Sequence, residues 1–341
     1  MLNFTLRRLM FTIPTLLLIS FIIFLILNLA PNDPTGSLPL TIPPEVREKI
    51  RVSLGLDEPL YWRYLLWCKQ FFINEPLNML NNGFGWCIGD CESRLRVTSY
   101  TTRSPVVDLI GERMPQTLWV VGMSYVVGIL IALPIGVISA YRQYSWFDQF
   151  GTFIAMIGFS VPTFFTGVLM IVIFSVGLHD TIFELPSKYV TTHNVTDWES
   201  FVFQLRQMVM PVTVLALYNA AHISRFMRAS MLDNLSQDYV RTARAKGLKE
   251  KTVLLVHVLR NSMIPVITVI ALGIPQVFGG AIITEQIFGV NGLGQLLIIG
   301  IQGADIPLVQ TLTFLFAVLI VLFNLVADVL YGLLDPRIRY D

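Results

Sequence analysis

The sequence predicts an all-α polytopic membrane protein with six membrane-spanning helices. Of its 341 residues, 54% are hydrophobic and only 14% are charged, whereas charged residues make up roughly 25% of a soluble domain. Several apolar runs reach about 20 residues, the length that an α-helix needs to cross a hydrocarbon core of roughly 30 Å. A net charge of +1 gives no reason to expect a nucleic-acid partner.

The first predicted span follows two basic residues near the amino terminus. Arg7 and Arg8 precede an apolar run that ends at Leu29, so the positive-inside rule predicts a cytoplasmic amino terminus. A cleaved signal peptide is the alternative, but the run is long for a signal-peptide core and no small-residue cleavage site follows it. We expect residues 1–29 to contain the amino-terminal segment and the first membrane-spanning helix.

Residues 30–116 are polar and predict an extracytoplasmic insert between the first two spans. Loops of this length cross a membrane largely regardless of their charge. Residues 45–54 and 61–72 predict amphipathic helices, and the aromatic residues of the second favour the membrane interface. These helices would form a small outer cap that receives a partner protein, or a packed lid without a partner. Residues 74–103 match no pattern.

Cys87 and Cys91 lie close together in this insert. In an oxidising compartment they would pair into a small disulfide loop. A zinc site is not expected because the insert contains no histidine. An iron–sulfur cluster normally needs four thiolates, and the chain has three cysteines.

Five further apolar runs predict the remaining spans. The runs are residues 117–141, 150–177, 208–222, 263–284 and 308–334. With their loops they make residues 117–334 a five-helix core, and residues 335–341 a cytoplasmic tail. Proline and glycine inside some of these runs are tolerated where neighbouring helices satisfy the freed backbone groups.

Residues 225–262 form a basic loop within this core. Between Arg225 and Arg260, eight Lys or Arg stand against three acidic residues, which predicts a cytoplasmic location. A helix is predicted from residue 238 to residue 246, and Gly247 then supplies the left-handed turn that ends it. A second helix is predicted at 249–261. Two short helices broken at a glycine make a knob that suits docking into a groove of a partner protein.

The loop sequence resembles that of a known transporter family. Its run from Tyr239 to Gly247 reads Tyr-Val-Arg-Thr-Ala-Arg-Ala-Lys-Gly. This is similar to the coupling loop of binding-protein-dependent ABC importer permeases, in the dipeptide, oligopeptide and nickel branch. The Pro-Asn-Asp-Pro sequence at 31–34 and the Asp-Pro-Arg sequence at 335–337 resemble the same family. The resemblance implies the type I ABC importer permease fold, although only Ala243, Gly247 and Leu259 fit the loop pattern of the wider superfamily.

The resemblance also implies which residues contact an ATPase subunit. The candidate coupling residues are Tyr239, Arg241, Thr242, Ala243, Arg244, Ala245, Lys246, Gly247 and Leu248. Ala243 and Gly247 would matter for fit, because a bulky side chain at either position would clash with the cleft of the ATPase. The three cationic side chains among them would complement acidic residues of the ATPase, or would be solvated and retain the loop in the cytoplasm.

The function that the resemblance implies is import of di- or oligopeptides by a permease of the bacterial inner membrane, with both termini in the cytoplasm. The expected partners are a second, homologous permease in a heterodimer, two cytoplasmic ATP-binding subunits, a periplasmic solute-binding protein and the lipid bilayer. The chain has no Gly-Lys dipeptide and hence no P-loop, and it has no catalytic motif of the HExxH or GxSxG kind. We therefore expect a non-catalytic chain without its own cofactor or metal, whose partners bind ATP and Mg²⁺.

Two residues in or beside the spans are candidates for a gate or a translocation path. Pro162 lies in the middle of the third run, where a kink would shape such a path or be ordinary helix bending. Glu285 follows the fifth run and would gate the outer mouth, meet a cationic group of the substrate, or make a structural hydrogen bond. Asp328, near the inner end of the sixth run, is a functional candidate by default, but its position favours packing.

Other classes of membrane protein remain open. A secondary transporter would show internal repeats and charges at the middle of the membrane, and neither is clear in this sequence. A non-transporting assembly subunit would use the same loop to hold a soluble partner. Nickel chelates and oligosaccharides are alternative substrates, but the histidines of the chain do not cluster in its spans, which favours peptides over metal.

Overall fold

A computed structural model describes residues 2–29, 43–53, 55–87, 89, 94–190, 195–279 and 281–334. Within these ranges the chain is helical, and the single β-type pairing is an isolated bridge between Thr98 and Pro105. The chain forms two compact units. The first comprises the described residues of 1–9, 116–294 and 319–341, and the second comprises those of 10–115 and 295–318.

Fifteen α-helices follow one another along the described chain. In order they are α1 (Leu2–Leu29), α2 (Pro44–Ser53), α3 (Leu60–Lys69), α4 (Glu75–Phe84), α5 (Val106–Thr117), α6 (Met123–Tyr141), α7 (Trp146–Ser160), α8 (Thr163–Met170), α9 (Trp198–Leu235), α10 (Asp238–Ala245), α11 (Glu250–Thr252), α12 (Leu259–Gly279), α13 (Ile282–Phe288), α14 (Leu293–Gln302) and α15 (Ile306–Leu334). Wider π-helical turns join or extend some of them, at Gln70–Asn74, Leu118–Gly122, Ile171–Gly177 and Val253–Val258.

Five helical segments in the described chain are long and apolar enough to cross a membrane. They are Met10–Leu29, Val106–Tyr141, Trp198–Leu235, Glu250–Pro275 and Ile306–Leu330. Two further segments are bent pairs: α7 with the helix from Thr163 to Gly177, at 102°, and α13 with α14, at 90°. The membrane-protein prediction is confirmed. The described chain thus has five to seven candidate spans, and the number of six stays a prediction.

Two helices are longer than the apolar runs that predicted them. The predicted span 208–222 is the middle of α9, a helix of 38 residues. Asp197 caps α9 by accepting the backbone N–H of Ser200 at 2.8 Å, and the Ser200 hydroxyl accepts the backbone N–H of Asp197 at 2.9 Å. The helix of the second span likewise begins at Val106, inside the predicted insert. Polar residues end an apolar run without ending a helix, which is why hydropathy alone gives segments that are too short.

The first unit is built on close packing of α6 against α9. A Cβ added at Gly136 would lie 2.6 Å from Met227 Cβ and 2.8 Å from the carbonyl oxygen of Ser224, and one at Gly128 would lie 3.0 Å from Asn219 Cβ. Small residues at such positions allow two helices in a membrane to approach closely. The two helices therefore form the rigid centre of this unit.

The amino-terminal end of the chain also belongs to the first unit. Arg8, at the beginning of α1, forms an ion pair with Asp328 near the end of α15. The packing role favoured for Asp328 agrees with this contact. The pair links the start of the first predicted span to the end of the last one, so it supports their location on the same side of the membrane.

The second unit contains the helices that were predicted in the insert. Helix α2 and the helix that begins with α3 lie where amphipathic helices were expected, at 45–54 and 61–72. Trp67 of α3 is buried, and its ring stacks on Phe71 and packs edge-on against Phe314 of α15. The region 74–103, which matched no sequence pattern, contains α4 and a chain of polar contacts. Arg96 in this region pairs with Glu75 at 2.9 Å and with Asp108 at 2.8 Å.

The start of α15 anchors the segment before α5 in the same unit. The carboxylate of Asp305 accepts the Ser99 hydroxyl at 2.5 Å and the backbone N–H groups of Tyr100 and Thr101, each at 3.0 Å. Asp305 is buried, and these donors satisfy its charge without a cation. The contact holds together two segments that are some two hundred residues apart in the sequence.

Candidate coupling surface and pathway residues

Helix α10 stands on the first unit with one side buried and the other exposed. Val240 and Ala243 are buried and belong to the apolar core beneath the helix. The remaining candidate residues of this loop are exposed. We define the coupling surface as these exposed residues: Tyr239, Arg241, Thr242, Arg244, Ala245, Lys246, Gly247 and Leu248. Ala243 thus lies on the buried side of α10, where its small side chain packs against residues of its own chain.

Gly247 ends α10 in the conformation that the sequence predicted. Its φ angle is +75°, the left-handed region that residues with a side chain rarely adopt. The Gly247 N–H donates to the carbonyl of Arg244 at 2.9 Å, and the Leu248 N–H donates to that of Ala243 at 3.4 Å, the two bonds of a Schellman motif. Nothing lies within 4 Å of a Cβ built at Gly247. Within the chain, the need for glycine here therefore comes from the backbone turn and not from crowding.

One of the three cationic side chains on the coupling surface is engaged inside the loop. Arg244 forms two hydrogen bonds with Glu250 at the start of α11, at 2.7 and 3.1 Å. These bonds raise the pKa of Arg244 above its ordinary value. The pair spans the turn at Gly247 and holds the two helices of the loop together. Arg241 has a weak, exposed contact with Asp238 at 3.5 Å.

An ion pair that the sequence analysis missed lies at the base of the loop. The guanidinium of Arg228 on α9 donates to both carboxylate oxygens of Asp148 on α7, at 2.7 and 2.8 Å. Asp148 is buried and also accepts the backbone N–H of Tyr144 at 3.0 Å. An acidic residue beside the apolar run 150–177 and a basic residue in the helix before the loop were the signal for this pair, because ionisable residues inside a membrane protein generally find partners.

The two helices that flank the loop are joined directly. The Ser230 hydroxyl on α9 donates to the carbonyl of Ser262 at 2.9 Å, and the Ser262 hydroxyl on α12 donates to the carbonyl of Ser230 at 3.2 Å. Both serines are buried. The predicted second helix of the loop is present as α11, which continues into α12. The loop thus rests on a rigid base, so that a displacement of α10 also displaces α9 and α12.

Pro162 lies at the bend between α7 and α8. Val161 is extended with ψ of 125°, and Pro162, with φ of −57° and ψ of 136°, is the N-cap residue before α8. The angle of 102° between the two helices is much larger than the ordinary kink of a proline-containing helix. The bend encloses an apolar cleft of about 360 Å³ in the first unit. Its walls include Ile154, Gly158, Thr166, Leu217, Tyr218 and Ala221.

Glu285 is buried on α13, with 1% of its surface exposed. Its carboxylate accepts the Thr117 hydroxyl at 2.8 Å and the Gly294 N–H at 2.8 Å. A Cβ at Gly292 would lie 2.4 Å from Glu285 Oε1, so the chain passes the carboxylate with no room for a side chain. This geometry supports the structural alternative among the three roles considered for Glu285, and its role as a gate stays a prediction.

Two further predictions concern thiols and metals. Cys91 lies outside the described residues, so the Cys87–Cys91 disulfide stays a prediction, and Cys68 is a free thiol. His179, Asp180 and Glu184 lie close enough together to hold a metal ion. His179 and Asp180 are exposed and Glu184 is partly exposed, and hydrogen bonds from the Asp180 N–H and from His179 lower the pKa of Glu184.

Comparisons with known proteins cover nearly the whole chain. The model of the binding-protein-dependent transport system inner membrane component matches residues 132–340, and the model of its amino-terminal companion matches residues 1–121. The chain is 38% identical over 342 residues to the oligopeptide transport system permease protein AppB of Bacillus subtilis (strain 168), covering 99% of both chains. It is 36% identical over 347 residues to the glutathione transport system permease protein GsiC of Escherichia coli (strain K12), covering 100% of both.

A solved structure shares the fold. It is an inward-facing conformation of the MetNI methionine ABC transporter. The match has a TM-score of 0.52 and 18% identity, and it covers 68% of the present chain and 99% of the other. At this identity the likeness shows the fold alone, and it agrees with the permease fold that the coupling loop implied.

Proposed function

Because this chain belongs to the family of binding-protein-dependent transport system inner membrane components, we propose that it is the permease subunit of an ATP-driven ABC importer for di- or oligopeptides. The observation that carries the proposal is the end-to-end match to relatives named as oligopeptide and glutathione permeases. Glutathione is itself a short peptide, so both names agree on the class of substrate. The same matches leave the secondary transporter and the assembly subunit without support.

The coupling surface is the part of the chain through which ATP energy would enter. The sequence contains no P-loop, so ATP would be bound and hydrolysed by two separate ATPase subunits. Closure of these subunits on ATP would move the exposed side of α10 as a rigid body. The Arg244–Glu250 pair keeps the loop from changing shape, and the Ser230–Ser262 bonds transmit the movement to α9 and α12.

The length of α9 suits this task. Its 38 residues span about 57 Å at 1.5 Å per residue, which exceeds the roughly 30 Å of a hydrocarbon core. One helix thus connects the cytoplasmic loop with the cleft at the bend of α7 and α8 and extends beyond it. A tilt of α9 would open and close that cleft, which we place beside the translocation path.

The remaining partners follow from the architecture of such importers. A second, homologous permease would complete the path, and a periplasmic solute-binding protein would deliver the peptide to the insert. We place the chain in the bacterial inner membrane, with both termini and the coupling loop in the cytoplasm. The excess of positive charge in the loop supports this orientation, and so does the Arg8–Asp328 pair between the two ends.

Variants of Gly247 test the coupling role. Gly247→Ala introduces no clash within the chain, but the left-handed conformation costs an L-residue about 1–2 kcal/mol. We expect it to weaken copurification with the ATPase subunits and to reduce peptide uptake in cells. Gly247→Asn should reduce copurification and uptake less, because asparagine tolerates this conformation better. Gly247→Trp should reduce both most. Gly83→Ala, at an open glycine of α4 without a positive φ, is the control.

Two results would contradict the proposal in different ways. Normal association and uptake of Gly247→Trp would show that the coupling surface lies elsewhere on the chain. Absence of peptide uptake by the wild-type transporter in cells that depend on it would reject the peptide-importer function itself.

A further inference from the structure

The second unit contains a cavity that the coupling mechanism does not use. Its volume is about 420 Å³, within the range of roughly 300–1,000 Å³ of small-molecule sites. The walls come from the end of α1, from α3, from the segment before α5 and from the start of α15. In the proposed orientation these parts lie on the outer side of the membrane, where a delivered solute would arrive.

Two buried polar atoms of residues that line this cavity have no hydrogen-bond partner among the described residues. They are Oδ1 of Asn28 and Nε2 of Gln310, and both residues line the cavity. Gln310 is only 2% exposed. An unsatisfied buried polar group costs about 1–3 kcal/mol, so each such group calls for an explanation. Rotation of either side chain towards the cavity would let a ligand there supply the missing partner.

The orientation of the Asn28 amide is set by its own helix. Its Nδ2 donates to the carbonyl of Phe24 at 2.8 Å, which leaves Oδ1 as a free acceptor. Gln310 offers a free donor. One acceptor and one donor in the same cavity complement a secondary amide, which has one N–H and one C=O group. A peptide bond is such a group.

The charges around the cavity match the ends of a peptide. Arg63 and Arg103 line it, and neither has a carboxylate partner within 4.0 Å in the described part of the chain. Arg63 is hydrogen-bonded to the Tyr100 hydroxyl, whose pKa is raised by burial. Arg96 also lines the cavity, but Glu75 and Asp108 already neutralise it. Glu58 is the one acidic lining residue among those described.

The apolar part of the wall is aromatic. Trp62, Trp67 and Tyr100 line the cavity, and Trp67 is held in place by its stacking on Phe71. Such rings give a rigid, sequence-tolerant surface for an apolar side chain of a ligand. The cavity therefore combines an acid, an amide-like pair, two arginines without a carboxylate partner in the described part of the chain, and aromatic walls.

We infer that this cavity is a receiving site for a short peptide on the permease itself. The carboxylate of the peptide binds Arg63 and Arg103, its amide group binds Asn28 and Gln310, and its ammonium group lies towards Glu58. An apolar side chain packs on Trp62 and Trp67. This inference rests on the proposed function, which it deepens by assigning a peptide site to this subunit in addition to the one on the solute-binding protein.

The test measures direct binding without the solute-binding protein. The full chain is purified with its copurifying subunits in phosphatidylcholine nanodiscs and is titrated with the dipeptide Ala-Phe by calorimetry. We expect saturable binding, and weaker binding of Ala-Phe amide, which lacks the carboxylate. Gln310→Met keeps the size of the side chain but removes the donor, and it should raise the Kd by about 3–10-fold. Gln302→Met, at an exposed position of the same unit, should bind as the wild type does.

A thermal measurement separates binding from a structural role. The donor of Gln310 has no partner in the described chain, so the unliganded Gln310→Met protein should melt no lower than the wild type, while its stabilisation by Ala-Phe should shrink. A lower Tm with an unchanged Kd would overturn the inference in favour of a structural water at this position. Binding of Ala-Phe that is lost when phosphatidylglycerol replaces phosphatidylcholine would overturn it in favour of a lipid headgroup.

Failure of the inference and failure of the proposed function are distinguishable. If cells import Ala-Phe through this transporter but the purified complex does not bind it, the receiving site is wrong and the importer stands. If neither uptake nor binding occurs, the peptide-importer function is rejected as well.

Discussion

Asp148 and Arg228 show how a single pair of residues fixes the base of the coupling surface. Their two parallel hydrogen bonds, at 2.7 and 2.8 Å, have the bidentate geometry of a strong ion pair. Asp148 is buried, whereas the Arg228 side chain is 29% exposed, so solvent screens part of the interaction. The pair stabilises the short turn before α7 against the helix that leads into the coupling loop.

Asp148→Asn should therefore destabilise the chain. Breaking a fully buried pair costs about 3–5 kcal/mol, and the partial exposure of Arg228 places the expected loss below that range. A lower Tm of the detergent-solubilised protein would show it. The double variant Asp148→Leu with Arg228→Met removes both charges and should recover much of the lost stability. A double variant that melts lower than Asp148→Asn would show that the charges themselves, and not an unpaired partner, are needed.

Glu285 shows what a sequence can say about one residue and what it cannot. An acidic residue beside an apolar span is a candidate gate by default, and the sequence left that role open. Thr117 lies far from Glu285 in the sequence, and Gly294 reaches it because the chain turns back after α13. No local sequence pattern predicts either contact. Gly247 is the opposite case, because a glycine at the end of a helical pattern already indicates its left-handed turn.

Helices α6 and α9 approach closely at one glycine of the helix from Val106 to Tyr141 but not at another. The first position has no room for a side chain, whereas the second has. Gly136 faces Met227 and Ser224 at under 3 Å from a built Cβ, whereas nothing lies within 4 Å of one at Gly122. The close approach belongs to the packing of two helices, and it limits how far they can slide on each other.

Gly136→Ala should separate the two helices and destabilise the protein, because overpacking costs about 1–3 kcal/mol. Gly122→Ala is the matched control and should be neutral or slightly stabilising, since glycine inside a helix is worse than alanine by roughly 0.5–1 kcal/mol. Thermal unfolding in detergent compares the two. Equal Tm values of the two variants would show that the distance between α6 and α9 is larger than in the structure.

The bend at Pro162 explains why hydropathy could not decide the number of spans. The run 150–177 contains no charged residue, and a sliding window averages across the break at Val161. The helix of 15 residues before the break is about 22 Å long, shorter than the roughly 30 Å of a hydrocarbon core. Neither half needs to cross alone, so the crossing depends on how the two halves pack on α6 and α9.

At the scale of the whole molecule, the ends of the chain constrain the number of crossings. The Arg8–Asp328 pair favours an even number, because it joins the start of the first span to the end of the last. We propose that the five straight spans and the bent pair of α7 and α8 are the six crossings. The pair of α13 and α14 would then return to the outer side without crossing.

Labelling of single cysteines tests this topology in a background in which the three native cysteines are replaced by serine. Ile182, which is 88% exposed, and Gln302 should react as cysteine variants with a membrane-impermeant maleimide added to intact spheroplasts. Lys246→Cys, on the coupling surface, should react only after permeabilisation. Labelling of Lys246→Cys from outside would reverse the orientation, and protection of Gln302→Cys would mean that α13 and α14 cross the membrane.

The sequence by itself determined the class of the protein, the family, the basic loop and the turn at Gly247. These follow from properties that are read along the chain: the length of apolar runs, the distribution of charge, and the one residue type that adopts a left-handed conformation freely. The amphipathic helices of the insert were predicted for the same reason, because their periodicity is local.

Only the tertiary structure decided which side of α10 is buried, and hence that Ala243 faces the core. It also decided that Glu285 is hydrogen-bonded and that Asp148 pairs with Arg228. The shared cavity of Asn28 and Gln310 is a tertiary feature as well. Each of these facts depends on which segments lie side by side. The partners are separated by many residues in the sequence, and the free energy that brings them together is that of packing whole helices, which no local pattern of residues contains.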